Sequence, residues 1–402
     1  MRVAHLSLGD YRNYRTAELP LEPGPNLLIG RNGQGKTNLV EAIAYFASLR
    51  SHRVTGDAAL VRVGAESAIA RMRVVGGERE VVLELQINRD RANRAQVNGN
   101  TVRPREVTRW FSAVSFVPED LMIVRGEPTI RRRFLDEALV ARHPVAAGAL
   151  GDYERVVRQR TALLKNYRSR GGAPAELLAV WDDQLIQFGT QIMIARRELV
   201  RDLQAPLAES YHALVSSDHG PKVAMAESVG EALAASGVSR ETVPSTEVAD
   251  PSAHVSRETL AAEFRNALEA VRSRERERGV TLVGPHRDDA LLTLNELPVK
   301  GYASHGESWS FALSLKLALA TLLRSESAAG DPVIILDDVF AELDASRRGR
   351  LMAAVRDFEQ VIVTAAVEGD VPDELSWHRV HIDGGKIVEE SAIEGGGSEW
   401  SR

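Results

Sequence analysis

The sequence has no cysteine, which excludes disulfides and thiolate metal sites outright and fits a reducing compartment. It has no apolar run approaching the ~20 residues needed to cross a bilayer. Met1 to His5 lacks the apolar stretch of a signal peptide. The expectation is a cytoplasmic protein with no membrane attachment. Lysine is scarce: six of the 50 basic residues, at 36, 165, 222, 300, 316 and 386. One of those six lies in a glycine-rich loop. An excess of positive charge is lacking too. The formal net charge of −6 argues against a uniformly basic DNA-coating protein, though not against a local patch that touches phosphates.

What remains is an ordinary globular balance, 44% hydrophobic and 26% charged over 402 residues, with room for two domains or for one domain carrying an insertion. The first 120 residues read as strands and turns around one helix. Asn26-Leu27-Leu28-Ile29 is a short apolar strand ending at a glycine. Asn38 to Leu49 carries Leu39, Ile43 and Phe46 on one helical face. Two β-rich runs between Ile69 and Ile87 flank Gly76-Gly77, a hairpin signal, and Asn98-Gly99 marks another turn.

From about Asp120 to Gly279 helical periods take over. Leu178, Trp181, Leu185, Phe188, Ile192, Ala195 and Leu199 alternate three- and four-residue steps, which fits a short heptad seam with the helix around Tyr153 to Tyr167 as its expected partner and equally an ordinary core-facing helix; either way a helical lobe is expected. Residues 215–256 are rich in Ser, Ala, Gly, Glu and Val, and a mobile loop is expected there. A helix with Leu260, Phe264, Leu268 and Val271 follows, ending in the charged run Arg272 to Arg278. From Thr281 β character returns. Apolar strands are expected at Val333 to Leu336 and Val361 to Val363, and the glycine-rich tail from Glu389 is expected to be disordered.

Gly30-Arg31-Asn32-Gly33-Gln34-Gly35-Lys36-Thr37 fits G-x-x-x-x-G-K-[ST] between a strand and a helix. Glycines let backbone N–H groups turn inward around phosphates, and the helix adds its positive N-terminal end. Lys36 brings a compact charge to the β- and γ-phosphates of ATP, and Thr37 a hydroxyl to Mg²⁺. Val333-Ile334-Ile335-Leu336-Asp337-Asp338 supplies the second half. A buried strand ending in Asp337 places that carboxylate beside the magnesium shell, and Asp338 where a base orients the attacking water. An apolar strand followed by two aspartates is common by itself. Its pairing with the loop is what gives it weight.

Upstream, Ser304-His305-Gly306-Glu307-Ser308 precedes an apolar helix, and Ala341-Glu342-Leu343-Asp344 follows the acid pair. Serine hydroxyl, glycine N–H and helix N-terminus make a second anion site, with Ser304 and Gly306 its expected nucleotide contacts. A serine-capped helix is the plain alternative. Position ahead of Asp337 makes the segment resemble the signature loop of ABC-type ATPases. In that class the loop is half of a site completed by another subunit, so the resemblance implies a homodimer glued by two ATP molecules.

The flanks narrow the class. Leu8 to Arg15, Asn38 to Ile43, Arg50-Ser51-His52-Arg53, Val117-Pro118-Glu119-Asp120-Leu121, Gly126-Glu127-Pro128 with Arg131 to Asp136, and Gly284-Pro285-His286-Arg287-Asp288-Asp289 occur in order along the chain. They resemble the RecF family of SMC-like ATPases, and the resemblance spans most of the sequence. It implies an α/β fold, an ABC-type ATPase lobe (1–120 plus 281–390) with an inserted helical second lobe (121–280), and a tail at 391–402. It also implies ATP-dependent DNA binding at single-stranded gaps or junctions, recombinase loading with RecO- and RecR-type mediators, and a link to the SOS response. Departures from the family pattern are Thr364 in place of a switch histidine, no metal-contacting glutamine near Pro118-Glu119, the unusual signature, and Asp338 one methylene shorter than the usual glutamate. Together they point to slow hydrolysis of ATP to ADP and phosphate, with Lys36 and Asp338 the catalytic pair.

For DNA, the candidates are Arg50, Arg53 and Arg62, with the cluster Arg131-Arg132-Arg133 as a further group that a solvated helix face also explains. Contacts to phosphate are expected, since nothing resembles a base-reading helix. His286 and Arg287 are candidates for bridging the lobes or touching nucleotide. The rival readings are a transporter-type ABC subunit, a chromosome-structuring SMC protein, and a clamp that binds ATP without turning it over. The transporter reading needs a switch histidine and no helical insert, and the SMC reading needs far more heptad chain. The set Lys36, Thr37 and Asp337 weighs against the clamp.

Overall fold

The computed structural model describes residues 1–170, 175–237, 255–371 and 376–388. The first strands are β1 (Arg2–Tyr11), β2 (Tyr14–Pro20), β3 (Gly24–Ile29), β4 (Ser67–Gly76), β5 (Arg79–Asn88), β6 (Arg94–Val97), β7 (Asn100–Val102) and β8 (Ala113–Phe116). Then come β9 (Lys222–Ala226), β10 (Asp289–Leu294), β11 (Leu297–Pro298), β12 (Val333–Asp337), β13 (Gln360–Ala365), β14 (His378–Asp383) and β15 (Lys386–Val388). The helices are α1 (Lys36–Ser48), α2 (Leu121–Arg125), α3 (Pro128–Arg142), α4 (Ala146–Arg170) and α5 (Ala175–Val215). They continue with α6 (Ser228–Ala235), α7 (Arg257–Arg278), the kinked turn α8 (Val299–Tyr302), α9 (His305–Glu326) and α10 (Ala345–Val355).

The chain forms two compact units: Met1–Leu121, Pro206–Asp218 and His305–Arg402 in the first, Met122–Ala205 and His219–Ser304 in the second. The first unit holds two six-stranded sheets. One is antiparallel, ordered β2-β1-β4-β5-β6-β7, and the other is mostly parallel, ordered β15-β14-β3-β13-β12-β8. Their sequences differ as their burial does. In β4 the inward Ala68, Ala70, Met72 and Val74 alternate with outward Ile69, Arg71 and Arg73, the two-residue period of a half-solvated sheet. In β12 and β13 every residue is buried and most are apolar, as in a sheet covered on both faces. Leu39, Val40, Ile43 and Phe46 of α1 share one core with the inner side chains of both sheets.

The second unit is built on α4, α5 and α7. Tyr153 and Val156, Leu185, Ile186 and Ile192, and Phe264, Leu268 and Val271 form its core, joined by Val229 and Leu233 of α6. The expected two-helix hairpin is therefore a larger assembly, and residues 171–174 between α4 and α5 lie outside the described residues. Arg160, 1% exposed, stitches the unit together with Asp182 at 2.7 Å, Glu275 at 2.6 Å and Thr281 at 3.1 Å. Ser256 caps α7 by accepting from the Thr259 N–H, and Gly279 ends it in the left-handed conformation.

Two expectations are corrected. The segment 215–256 is not one long loop: it contains β9 and α6, and only 238–254 lies outside the described residues. β9 escaped notice because its five residues include one fully buried side chain and no β-branched run. Residues 281–304, expected with the ATPase lobe, belong to the second unit because β10 pairs antiparallel with β9 and β11. That unit is consequently mixed, not purely helical. The tail at 391–402 lies outside the described residues. Among the described residues no helix is long and apolar enough to cross a membrane.

Candidate nucleotide site

The loop Gly30–Thr37 leaves the carboxyl end of β3 and enters α1, with β13 and β14 flanking β3 in parallel. Its glycines answer to geometry. Gly33 and Gly35 have φ of +83° and +113°, which side chains with a Cβ rarely adopt. A Cβ on Gly35 would also lie 2.6 Å from the Tyr14 hydroxyl, and one on Gly30 only 2.3 Å from the Ile382 carbonyl. α1 has no acidic residue in its first turn, so its N-terminal N–H groups stay available to an anion. Lys36 is 3% exposed and folds over the loop, its Nζ donating to Gly30 O at 2.6 Å and Arg31 O at 3.3 Å. Arg31 and Asn32 are exposed on the outer rim.

Gln34 ties the loop to its surroundings. Its carbonyl accepts from Gly385 N at 3.2 Å and Asn13 Nδ2 at 3.4 Å, while its side-chain oxygen accepts from Gly384 N. Asn13 in turn accepts from Asn38 Nδ2 at 2.7 Å, and Asn38 accepts from Arg53 Nη1 at 2.7 Å.

The acid strand lies where the sequence places it. Asp337 ends β12, beside Thr364 on β13. Thr37 Oγ1 donates to Asp337 Oδ1 at 3.2 Å, joining residues 300 apart in sequence. Thr364 Oγ1 donates to the same oxygen at 2.6 Å and accepts from the Asp338 N–H at 3.0 Å. The residue standing in place of a switch histidine therefore holds the Asp337 carboxylate and the backbone of Asp338. Burial pushes the Asp337 carboxyl up to about 6, helped by the neighbouring Asp338 charge and opposed by the Thr364 and Thr37 hydrogen bonds and the charge of Arg53. Asp338 has φ of +52°, a left-handed conformation unusual for a residue with a side chain and typical of functional turns. β8 runs parallel to β12 on the other side, with Phe116 opposite Leu336, and the exposed Glu119 follows in the 3-10 turn Pro118–Asp120.

These residues fit Mg²⁺. No group of three or more His, Cys, Asp or Glu gathers as a metal cage among the described residues. Mg²⁺ asks for less: one or two protein oxygens beside phosphate and water, which Thr37 and Asp337 would supply.

Ser304 is exposed, immediately before α9. Gly306, in the first turn of α9, lies under a guanidinium from further along the chain: a Cβ there would be 2.7 Å from Arg347 Nη1. Arg347 stands in the first turn of α10, which Asp344 caps by accepting from the Arg347 N–H at 2.9 Å. Sequence reasoning missed Arg347. A signal was available: basic residues at a helix N-terminus oppose the helix dipole and need another reason to be there.

The arginines expected at DNA are mostly committed elsewhere. Arg131 is 6% exposed and holds both oxygens of Asp289 at 2.7 and 2.8 Å, so it is a structural residue and not a DNA contact. Arg132 donates to the Asp288 carbonyl at 2.7 Å, and Arg133 pairs with Glu137 one helical turn on. Arg62 pairs with Asp10 at 2.7 Å, and Arg53 belongs to the network around Asn38 and the buried Glu41. Arg50 is exposed. His286 and Arg287 are used inside the second unit, His286 Nδ1 at 2.7 Å from the Tyr153 hydroxyl and Arg287 Nε donating to Thr281 O at 2.9 Å.

The RecF/RecN/SMC N-terminal domain family model matches residues 2–382. This chain is 54% identical to the DNA replication and repair protein RecF of Clavibacter sepedonicus, over 97% of this chain and 95% of that protein. It is 52% identical to the protein of that name from Leifsonia xyli subsp. xyli, over 97% and 100%. The chain belongs to the RecF family. It is a DNA replication and repair protein with the SMC-like, ABC-type ATPase fold. Among solved structures it resembles the recombination mediator RecF with ATP in the RecFOR pathway, with a TM-score of 0.83 and 25% identity, covering 96% of each chain. A second RecF structure, with ATPrS, gives a TM-score of 0.83 and 26% identity, covering 96% of this chain and 97% of that one. An SMC head bound to the C-terminal winged-helix domain of ScpA, with a TM-score of 0.52 and 14% identity, shares the fold alone.

Proposed function

We propose that this RecF-family chain binds ATP with Mg²⁺ on Gly30–Thr37 and uses it as a switch that closes a homodimer on DNA. The observation that carries the reading is the hydrogen-bonded set Thr37–Asp337–Thr364, which draws the loop and the acid strand into one site. Lys36 releases the loop carbonyls to meet the β- and γ-phosphates, a compact charge in a buried position where it is weakly screened. Thr37 and Asp337 hold Mg²⁺, which neutralises charge on the phosphates. Asp338, half-buried and aimed by its left-handed backbone, orients water for hydrolysis to ADP and phosphate.

The second half of each site comes from the partner subunit, through the segment Ser304–Gly306. ATP that binds only the closed dimer stabilises it by mass action, and slow hydrolysis gives the clamp a lifetime. The closed dimer grips DNA at single-stranded gaps, acts with RecO- and RecR-type mediators to load recombinase, and works in the cytoplasm within the SOS response.

Light scattering with ATP, ADP or no nucleotide tests this, alongside anisotropy of a labelled gapped duplex. Dimer and DNA binding that appear together with ATP, and vanish in Lys36→Ala, are the expected result. A chain that stays monomeric with ATP, or binds DNA equally with no nucleotide, would overturn the switch.

A further inference from the structure

Many arginines of the first unit are spoken for by carboxylates: Arg12 by Glu41, Arg62 by Asp10, Arg71 by Glu84. The stretch 89–110 is different. It contains six arginines against two carboxylates, Asp90 and Glu106, in a chain whose net charge is −6. Arg89 turns inward and donates to the carbonyls of Val61, Arg62 and Ala65, and Arg91 donates to Asn88. The other four, Arg94, Arg103, Arg105 and Arg109, are exposed, and their side chains make no hydrogen bond or ion pair among the described residues.

The fold places these four on adjoining elements. Ala95 and Val97 of β6 point into the core, so Arg94 points out. β6 pairs with β7 through Ala95 and Val102, and one step further along that register Arg103 comes opposite Arg94. Pro104 then opens a 3-10 turn, Pro104–Arg109, whose Val107 and Thr108 are buried while Arg105 and Arg109 stay outside. Trp110, 44% exposed, closes the row. Two like charges facing each other across a strand pair repel unless an anion lies between them. The charges are guanidiniums, whose planar fork fits phosphate oxygens two at a time. They sit on paired strands and a pinned turn, and no helix stands there to enter a groove and read bases.

We propose that Arg94, Arg103, Arg105 and Arg109 form a strip that grips the phosphate backbone of duplex DNA. The proposal rests on the DNA-binding reading above and names its surface. The strip reads no sequence; it contributes charge, register and salt dependence.

The test is the affinity of the full-length protein, with ATP and Mg²⁺, for a labelled duplex at stepped salt concentrations. Three versions are compared with the unsubstituted chain: all four arginines changed to Gln, all four changed to Lys, and Arg15→Gln. Arg15 is an exposed arginine on β2, at the other edge of the same sheet. The slope of log affinity against log salt shrinks by roughly 0.9 for each phosphate that the protein no longer neutralises, so the Gln version loses about three to four units of slope and at least about tenfold in affinity at low salt. The Lys version keeps most of the slope, and Arg15→Gln leaves it unchanged. ATP binding and the melting temperature, read on every version, confirm that the fold is intact. A Gln version with the unsubstituted slope overturns the strip, as does a Lys version that loses the slope equally. If the unsubstituted chain binds neither the plain duplex nor a gapped one at any salt, the DNA-binding reading itself falls; if it binds the gapped DNA alone, the strip is overturned and that reading stands.

Discussion

At the scale of single residues, identical side chains carry different duties according to what surrounds them. Arg131 and Arg103 are both arginines in basic stretches, yet one is buried on Asp289 and the other faces solvent unpaired. Arg131→Ala leaves Asp289 without its partner in a largely buried position, and a loss of about 3–5 kcal/mol is expected in chemical denaturation. Lys36→Ala removes a charge-assisted interaction worth about 1.5–3 kcal/mol, so ATP affinity by titration calorimetry falls by roughly tenfold or more, with stability little changed. His286 gives a pH signature. Burial holds its imidazole down to about 4, with the charges of Arg287, Arg132 and Arg160 adding to that, while the unfolded chain takes the proton near 6.5. Below 6.5 the unfolded state therefore binds more protons, and His286 costs stability as pH falls from 6.5 towards 4. Asp288 works the other way. Burial raises it to about 6, so the native state takes the proton first and stability is lost as pH rises from about 4 to 6. His286→Gln removes the first slope alone. Denaturation midpoints of the variant should improve, relative to the unsubstituted protein, as pH is lowered from 6.5 to 4; parallel curves would show that His286 does not titrate this way.

At the scale of elements, close approach decides where small residues must stand. Gly189 lies inside α5, where a Cβ would be 2.5 Å from the Phe264 ring of α7 and 3.1 Å from Tyr153 of α4. Alanine in an exposed helix gains about 0.5–1 kcal/mol over glycine. Here the methyl must displace a fully buried ring, and overpacking of that kind costs about 1–3 kcal/mol. Gly189→Ala is expected to lower stability despite its better helix propensity, as thermal unfolding would show; a gain would mean that α7 yields freely. That α5 is a helix with one core-facing side was legible from spacing alone. That a glycine within it marks the crossing of three helices was not, because the partners lie far away in sequence. β9 was missed for the same reason: five residues become a strand only because β10 is there to pair with them.

At the scale of the whole molecule, the proposed site is shared between two chains. Arg347 packs on Gly306 of its own chain, so its duty lies on the signature side, while Lys36 serves the phosphate loop. Lys36→Ala and Arg347→Ala proteins should each hydrolyse ATP poorly. Mixed together they should recover activity, because one of the two sites in a mixed dimer combines an intact loop with an intact signature. A mixture no better than its components would place both defects in the same half-site.

The sequence by itself determined the phosphate loop, the acid strand and the family. Those features are local: the glycines of Gly30–Gly35 set their own backbone conformation, and the apolar run Val333–Leu336 of β12 declares a strand covered on both faces. Order along the chain did the rest. Only the tertiary structure decided which charges are spent and which are free, because a salt bridge such as Arg131–Asp289 joins residues 158 apart and no spacing rule predicts it. The fold alone also set Thr364 against both aspartates, on the Asp337 carboxylate and the Asp338 N–H, and assigned residues 281–304 to the second unit. Burial and pairing are properties of the space around a residue, and that space is assembled from distant parts of the chain.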